Sequence, residues 1–309
     1  MKYSQRVTAR LIRLAHGLHP ALAPSVVALA ASPGKSLRAS LLAACGRLGL
    51  PDEQRLVRLG AIVELIHLAS LLHDDVIDGA EVRRGAPAAH VVVGGEAATL
   101  AGLACFALVG TETADLDEGL ARIVGDAVAG LSYGELMDVE RAFDTELPLS
   151  VYTELAARKT GDLFGLACVL GAVEGGAADE HVRAAARFGK ALGVAFQILD
   201  DCLDLESDGV DKPLHTDLRL GLFGAPVLCA LRRDTSGELA GLLLSPSLDE
   251  SAVPQVHRMI VECRGLEEAR ELAGRWYEDA LAELDPLPAG TARDELLATA
   301  SGMWRGRAR

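Results

Sequence analysis

The chain has 309 residues, a formal net charge of −14 and a sequence pI near 5.0, with 50% hydrophobic, 24% charged and only 4% aromatic residues. That composition excludes a disordered chain and disfavours a β-sandwich, and it leaves a core made mainly of Ala, Leu and Val. The acidic balance argues against a nucleic-acid binder, because phosphate contacts need clustered Lys and Arg.

The opening residues, Met1-Lys2-Tyr3-Ser4-Gln5-Arg6, are polar and run into an amphipathic stretch, unlike the apolar core of a secretory signal. Further on, Leu56, Leu59, Ile62, Val63 and Ile66 continue into Ala69, Ser70 and Leu72 at helical spacing, which keeps one side apolar over several turns. The most apolar segment, Ala97 to Gly110, is flanked by Glu96 and Glu112 and falls short of the ~20 residues a bilayer span needs. Gly and Pro fall between such stretches, at Ser32-Pro33-Gly34, Gly85-Ala86-Pro87, Gly94-Gly95, Gly175-Gly176 and Pro286-Leu287-Pro288-Ala289-Gly290, as interhelical turns. Strand-like alternation is nearly absent, and no linker or repeat divides the chain. The expectation is one all-α domain over residues 1–309. The six cysteines, at 45, 105, 168, 202, 229 and 263, form no CxxC pair and read as small buried hydrophobes in a reducing, cytoplasmic setting.

Two segments carry the chemistry. Asp74-Asp75-Val76-Ile77-Asp78 and Asp200-Asp201-Cys202-Leu203-Asp204 each place a third acid at i+3 and i+4 from an acidic pair, about one helical turn away. Both lie in apolar surroundings, where three like charges are costly without a compensating cation. Oxygen ligands without Cys or His point to Mg²⁺, which keeps waters and bridges carboxylates to phosphates. The cations that phosphate needs stand near turns: Gly34-Lys35-Ser36-Leu37-Arg38 at a helix start, Arg83-Arg84-Gly85 after the first triplet, and Lys159-Thr160-Gly161 before another apolar segment. His67 lies two turns before Asp74 on the same face, as a phosphate donor beside Lys35 and Arg38.

In order along the chain, Gly34-Lys35…Arg38, the run His67 to Asp78, Arg83-Arg84-Gly85, Gly134-Glu135, Lys159-Thr160, Gly193…Phe196-Gln197-Ile198-Leu199-Asp200-Asp201-Cys202-Leu203-Asp204 and Gly265 to Arg270 resemble the trans-type isoprenyl diphosphate synthases, or polyprenyl synthetases. The resemblance spans nearly the whole chain. It implies a single-domain helical bundle around a central active-site cavity, a homodimer, and two aspartate motifs facing each other across the cavity mouth. By that analogy Asp74, Asp78 and Asp200 bind Mg²⁺ directly, three ions with substrate bound, and Asp75, Asp201 and Asp204 support the ions or their waters. Arg83, Lys159, Thr160, Gln197 and Lys212 would hold an allylic diphosphate, while Lys35, Arg38, His67 and Arg84 would hold isopentenyl diphosphate. The implied reaction is ionisation of the allylic C–O bond followed by attack of the isopentenyl double bond.

The chain departs from the family pattern at Ser36, Ala39, Leu103 and Leu222, where Arg, Pro, Asp and Lys are common. The analogy also places product length on the helix before the first motif. Ala69 and Ser70 are small where enzymes that stop at fifteen carbons carry an aromatic ring, so a longer product is expected, with Ile66, Val63, Cys105 or Phe106 nearer the floor. Two other readings remain: a class I terpene cyclase or lyase on the same scaffold, and a non-catalytic subunit that binds prenyl diphosphates. The retained set of Lys35, Arg38, His67 and Arg84 speaks against the first, and two complete triplets against the second. The tail residues Arg305, Arg307 and Arg309 are expected to form a frayed, solvated end, the alternative being that they fold over the diphosphates.

Overall fold

A computed structural model describes residues 2–32, 34, 36–206, 216–245, 248 and 251–307. It begins with α1 (Tyr3–His16), α2 (Ala23–Ala31), α3 (Leu37–Gly46) and the long α4 (Glu53–Ile77). After a short hairpin come α5 (Ala89–Val93), α6 (Gly95–Thr113), α7 (Glu118–Glu140) and α8 (Leu149–Ala156), then a π-helical turn, Ala157–Gly161, that runs directly into α9 (Asp162–Glu174). The second long helix, α10 (Asp179–Glu206), precedes α11 (Thr216–Leu220), α12 (Ala225–Arg233), α13 (Glu238–Leu243), α14 (Val253–Glu262), α15 (Gly265–Ala282) and α16 (Thr291–Arg305).

The two helices that carry the aspartate motifs are the longest, at 25 and 28 residues. Helix α4 starts where Asp52 accepts hydrogen bonds from the backbone N–H groups of Gln54 and Arg55, both at 2.8 Å, with Glu53 in the first turn matching the helix dipole. It ends at Asp78, and Gly79 follows at φ +64°, where a residue without Cβ relieves the left-handed strain. Its length and composition would suit a membrane span, yet 67% of its apolar window is buried within the protein, where it packs on α6, α1 and α3 as a core helix.

Helix α9 joins two cores. Leu163, Leu166, Ala167 and Leu170 face one built from α1, α4, α6 and α7, while Phe164, Cys168 and Ala172 face another built from α10, α12, α15 and α16. Alternate faces of one helix therefore bind the halves together. The six cysteines are free thiols, and five of them are fully buried. Among the described residues, strand structure is confined to the hairpin pairing Val82 with Pro87 and Arg83 with Ala86, where the sequence suggested only a turn. Arg84 (φ +54°) and Gly85 (φ +74°) form its two-residue bend, whose left-handed residues match the strand twist.

Candidate active site

A cavity of about 320 Å³ opens between α4, α7, α8 and α10. Asp74 and Asp78 line it from α4, Asp200, Asp201 and Asp204 from α10, and Glu135 and Asp138 from α7. Arg83, ion-paired with Asp75, and Lys159, with Glu135 and Asp138, supply positive charge among these acids, and Arg38, His67 and Arg141 also line the cavity. The structure thus brings together both aspartate motifs and most of the basic residues expected around them. Lys35 and Lys212 lie outside the described residues.

Within each motif the members have different work. On a helix, positions i and i+4 share a face while i+1 is turned about 100° away. Asp74 and Asp78 accordingly face the cavity, and Asp75, 1% exposed, turns inward. There it accepts a hydrogen bond from Arg83 Nε at 2.7 Å and a second contact from Arg83 Nη2. Asp201, although it borders the cavity, has both oxygens engaged, taking Gln197 Nε2 at 2.9 Å on one, and Tyr152 Oη at 2.5 Å and the Ala225 N–H at 3.0 Å on the other. Asp75 and Asp201 were expected to support metal ions; here their carboxylates are engaged by protein donors, orienting Arg83 and tying α8, α10 and α12 together. Burial pushes Asp201 up to about 7, against the opposing pull of its three donors.

Asp74 is in the opposite condition. Its Oδ1 is buried without a hydrogen-bond partner, and burial, with Glu135 and Asp78 adding repulsion, pushes its carboxyl up to about 8 despite Lys159 and Arg83. An orphaned, protonatable carboxyl oxygen facing other acids fits a site that takes a cation. Among the described residues no three His, Cys, Asp or Glu side chains form a closed metal cage. Open carboxylates suit Mg²⁺, which binds through one or two carboxylates and completes its octahedron with water and phosphate oxygens.

The π-helical turn presents Lys159 and Thr160 to the cavity, an extra residue per turn moving their side chains off the α-helical stripe. It can close on α10 because a Cβ at Gly193 would lie 2.7 Å from the Gly161 Cα. Lys159 Nζ lies 2.6 Å from Asp138 Oδ2 and 3.0 Å from Glu135 Oε2. Burial alone would lower its pKa, but Asp138, Glu135 and Asp74 outweigh that and raise it, so the ammonium stays charged. Thr160 Oγ1 donates to Gln197 Oε1 at 2.7 Å, which joins this turn to the Asp201 network.

The second basic group is drier. Arg38 sits 4.9 Å over the Phe164 ring, its Nε is buried without a partner, and burial lowers its pKa to about 10. Burial, then Arg38, Arg84 and Arg83, hold His67 well below its usual pKa, so it is a neutral imidazole at pH 7. Arg84 stands behind the cavity wall. Its Nη1 donates to the carbonyls of Ser32 at 2.7 Å and Leu29 at 3.3 Å, and Nη2 lies 3.4 Å from His67 Nε2, so it braces the loop before α3 and the imidazole.

Of the residues expected to set product length, Ser70 lines the cavity, one turn before Asp74. Ala69 and Ile66 do not: both are completely buried in the core shared with Ala101 and Cys105 on α6. Four residues back lands within about 40° of Asp74, whereas five back lands about 140° away. Arg307 also differs from expectation. Instead of fraying, its side chain is only 12% exposed, stacks 3.9 Å over the Phe196 ring and reaches Asp200 Oδ1 with Nε at 3.3 Å and Nη2 at 3.2 Å. Arg305 is exposed, and Arg309 lies outside the described residues. Roles for Asp138 and Tyr152 escaped the sequence reading, as did any role for Glu135 beyond its motif; a carboxylate pair at i and i+3 was the available signal for Glu135 and Asp138.

Comparison with known proteins agrees with this arrangement. A family model described as polyprenyl synthetase matches residues 19–260. A nonaprenyl diphosphate synthase of Mycobacterium tuberculosis is 34% identical over 282 residues, covering 90% of this chain and 84% of that one. The crystal structure of a geranylgeranyl pyrophosphate synthase from Lactobacillus brevis superposes with a TM-score of 0.90 at 27% identity, covering 97% of this chain and 96% of the other. A polyprenyl synthase from Caulobacter crescentus, complexed with calcium and isoprenyl diphosphate, gives 0.85 at 29% identity over 99% and 94% of the two chains. With an all-α bundle, two facing aspartate motifs and a family match over most of its length, the chain belongs to the polyprenyl synthetase family of prenyltransferases.

Proposed function

We propose that this protein is a Mg²⁺-dependent trans-prenyltransferase that condenses isopentenyl diphosphate with an allylic diphosphate to give a product longer than fifteen carbons. The observation that carries the reading is one cavity lined by two differently held basic groups, Arg83 and Lys159 ion-paired with acids, and Arg38 against Phe164 with His67 beside Arg84. Two diphosphates need two such groups; ionisation of one needs a single one. When bound, the divalent ions neutralise the allylic diphosphate as a leaving group. Asp74, Asp78, Asp200 and Asp204 would hold them, and Lys159 and Arg83 would take up the charge that grows on the departing oxygen. Arg38 and the neutral His67, the latter through one ring N–H, would orient the second diphosphate so that its double bond faces the developing allylic cation. Leu71, Leu147, Leu155 and Phe196 line the cavity and would keep water from that cation.

The test is incubation with labelled isopentenyl diphosphate and a series of allylic primers, with Mg²⁺ or with EDTA, resolving products by length. Mg²⁺-dependent elongation beyond fifteen carbons is expected. Isopentenyl-independent release of hydrocarbon or alcohol would replace the proposal with a cyclase, and inactivity with every primer would make the chain a binding subunit. The proposed working unit is a homodimer. Exposed Leu100 and Leu103 on α6, with Leu136 and Val139 on the adjacent α7, offer the apolar surface such a contact needs. Sedimentation should give twice the chain mass, and Leu103→Glu should halve it. Six free thiols suit a reducing compartment such as the cytoplasm.

A further inference from the structure

Asp200 and Asp74 occupy equivalent places in their motifs, yet Asp200 already holds a cation. Both N–H contacts from Arg307 converge on Asp200 Oδ1, and its Cζ lies 3.9 Å over the ring of Phe196, one turn earlier on α10. Arg307 follows the end of α16 at Arg305, where Gly306 is the C-cap, so it hangs from a helix terminus and not from its interior. Its Nη1 is buried without a partner among the described residues. A guanidinium that leaves one N–H unsatisfied is held incompletely, and a better-solvated state competes with it.

We propose that Arg307 is the resident counter-cation of Asp200, and that a divalent ion loading at the second aspartate motif competes with it and displaces it. The inference rests on the metal-dependent reading given above. A guanidinium and a divalent ion on one carboxylate repel each other and compete for its lone pairs, so Arg307 on Oδ1 weakens the hold of Asp200 on an incoming ion. Asp74 Oδ1 is buried with no hydrogen-bond partner, so the acid at the equivalent place in the first motif lacks the direct cation contact that Asp200 has. The end of α16 is thereby coupled to occupancy of the site. Trp304, three residues before Arg307, stacks on Tyr277 with ring centroids 4.6 Å apart and can report that movement.

The test uses the substrate-free protein. Mg²⁺ binding is measured by calorimetry for the wild type, Arg307→Met, Arg307→Gln and Arg307→Lys. Trp304 emission is followed in a Trp276→Phe background, which leaves Trp304 as the single tryptophan. The two neutral variants should bind Mg²⁺ at least threefold more tightly, with Arg307→Lys closer to wild type. Mg²⁺ should shift Trp304 emission in the background protein and leave it unchanged once Arg307 is neutral. Equal affinity in the wild type and both neutral variants overturns the proposal alone, as does an emission shift that survives loss of Arg307. Absence of Mg²⁺ binding in every protein overturns it together with the metal-dependent reading.

Discussion

The two aspartate motifs have the same spacing on the two longest helices, and the protein treats them differently. In the first, the inward acid Asp75 is held by one side chain, Arg83, delivered by a two-residue hairpin. In the second, the corresponding acid Asp201 gathers a tyrosine from α8, a glutamine from its own helix and the first N–H of α12. The cavity-facing partners differ in the opposite sense, since Asp74 has a bare buried oxygen and Asp200 is paired with Arg307. Helix geometry sets the two acids of each pair about 100° apart, so they meet different neighbours. What surrounds each helix then decides whether the first acid is open and how much structure depends on the second.

The division can be broken by substitution. Asp74→Asn should lower kcat at least ~100-fold in the prenyl-transfer assay while leaving urea stability near or above wild type, because it removes a buried repelling carboxylate. Asp201→Ala should do structural damage, about 3 kcal/mol in urea unfolding, since Tyr152 Oη and the Ala225 N–H lose their acceptor in the interior. Asp75→Ala should cost less than that, because Arg83 keeps an edge towards the solvent-filled cavity.

The raised carboxyls sharpen the same contrast through pH. Asp74, pushed up to about 8, and Asp201, up to about 7, both hold protons in the folded state that the unfolded chain releases near pH 4. Folded protein therefore binds more protons between those values, and the metal-free protein should lose stability as pH rises from about 4 to about 8, on the order of a few kcal/mol. Adding Mg²⁺ should flatten the upper part of that decline, which belongs to Asp74, and leave the Asp201 part. Melting temperature against pH, with and without Mg²⁺, separates the two.

The smallest expected effects concern product length. Ser70→Phe puts a ring into the cavity and should shorten the product by one or more isoprene units with little loss of stability. Ala69→Phe, aimed into a filled core, should cost about 1–3 kcal/mol from overpacking. A shortened product from Ala69→Phe with unchanged melting would place Ala69 on the tail's path and reverse that assignment.

Much of this was legible in the sequence because it follows from local rules. Helical spacing singled out the two acidic triplets and the basic residues near turns, and the family resemblance implied that Asp74, Asp78, Asp200, Arg38, His67 and Lys159 meet at one cavity, whose lining includes them all. The sequence did not separate Ala69 from Ser70, because one residue on a helix is a rotation of about 100°, and which of the two borders the cavity depends on how α6 packs against α4. Asp138 and Tyr152 were missed because their partners, Lys159 and Asp201, lie 21 and 49 residues away. Arg307 was read as solvated for the same reason: Asp200 is 107 residues distant along the chain.

By itself the sequence determined the helical class, the family and the identity of the acids and bases, since these depend on residue type and on spacings of one or two turns. Only the tertiary structure decided which acid of each pair faces the cavity, which is engaged by protein donors, and which cation guards Asp200. Those outcomes turn on charge and burial among side chains that meet across helices, where a shift of one residue or one neighbour changes a carboxylate from anchor to ligand.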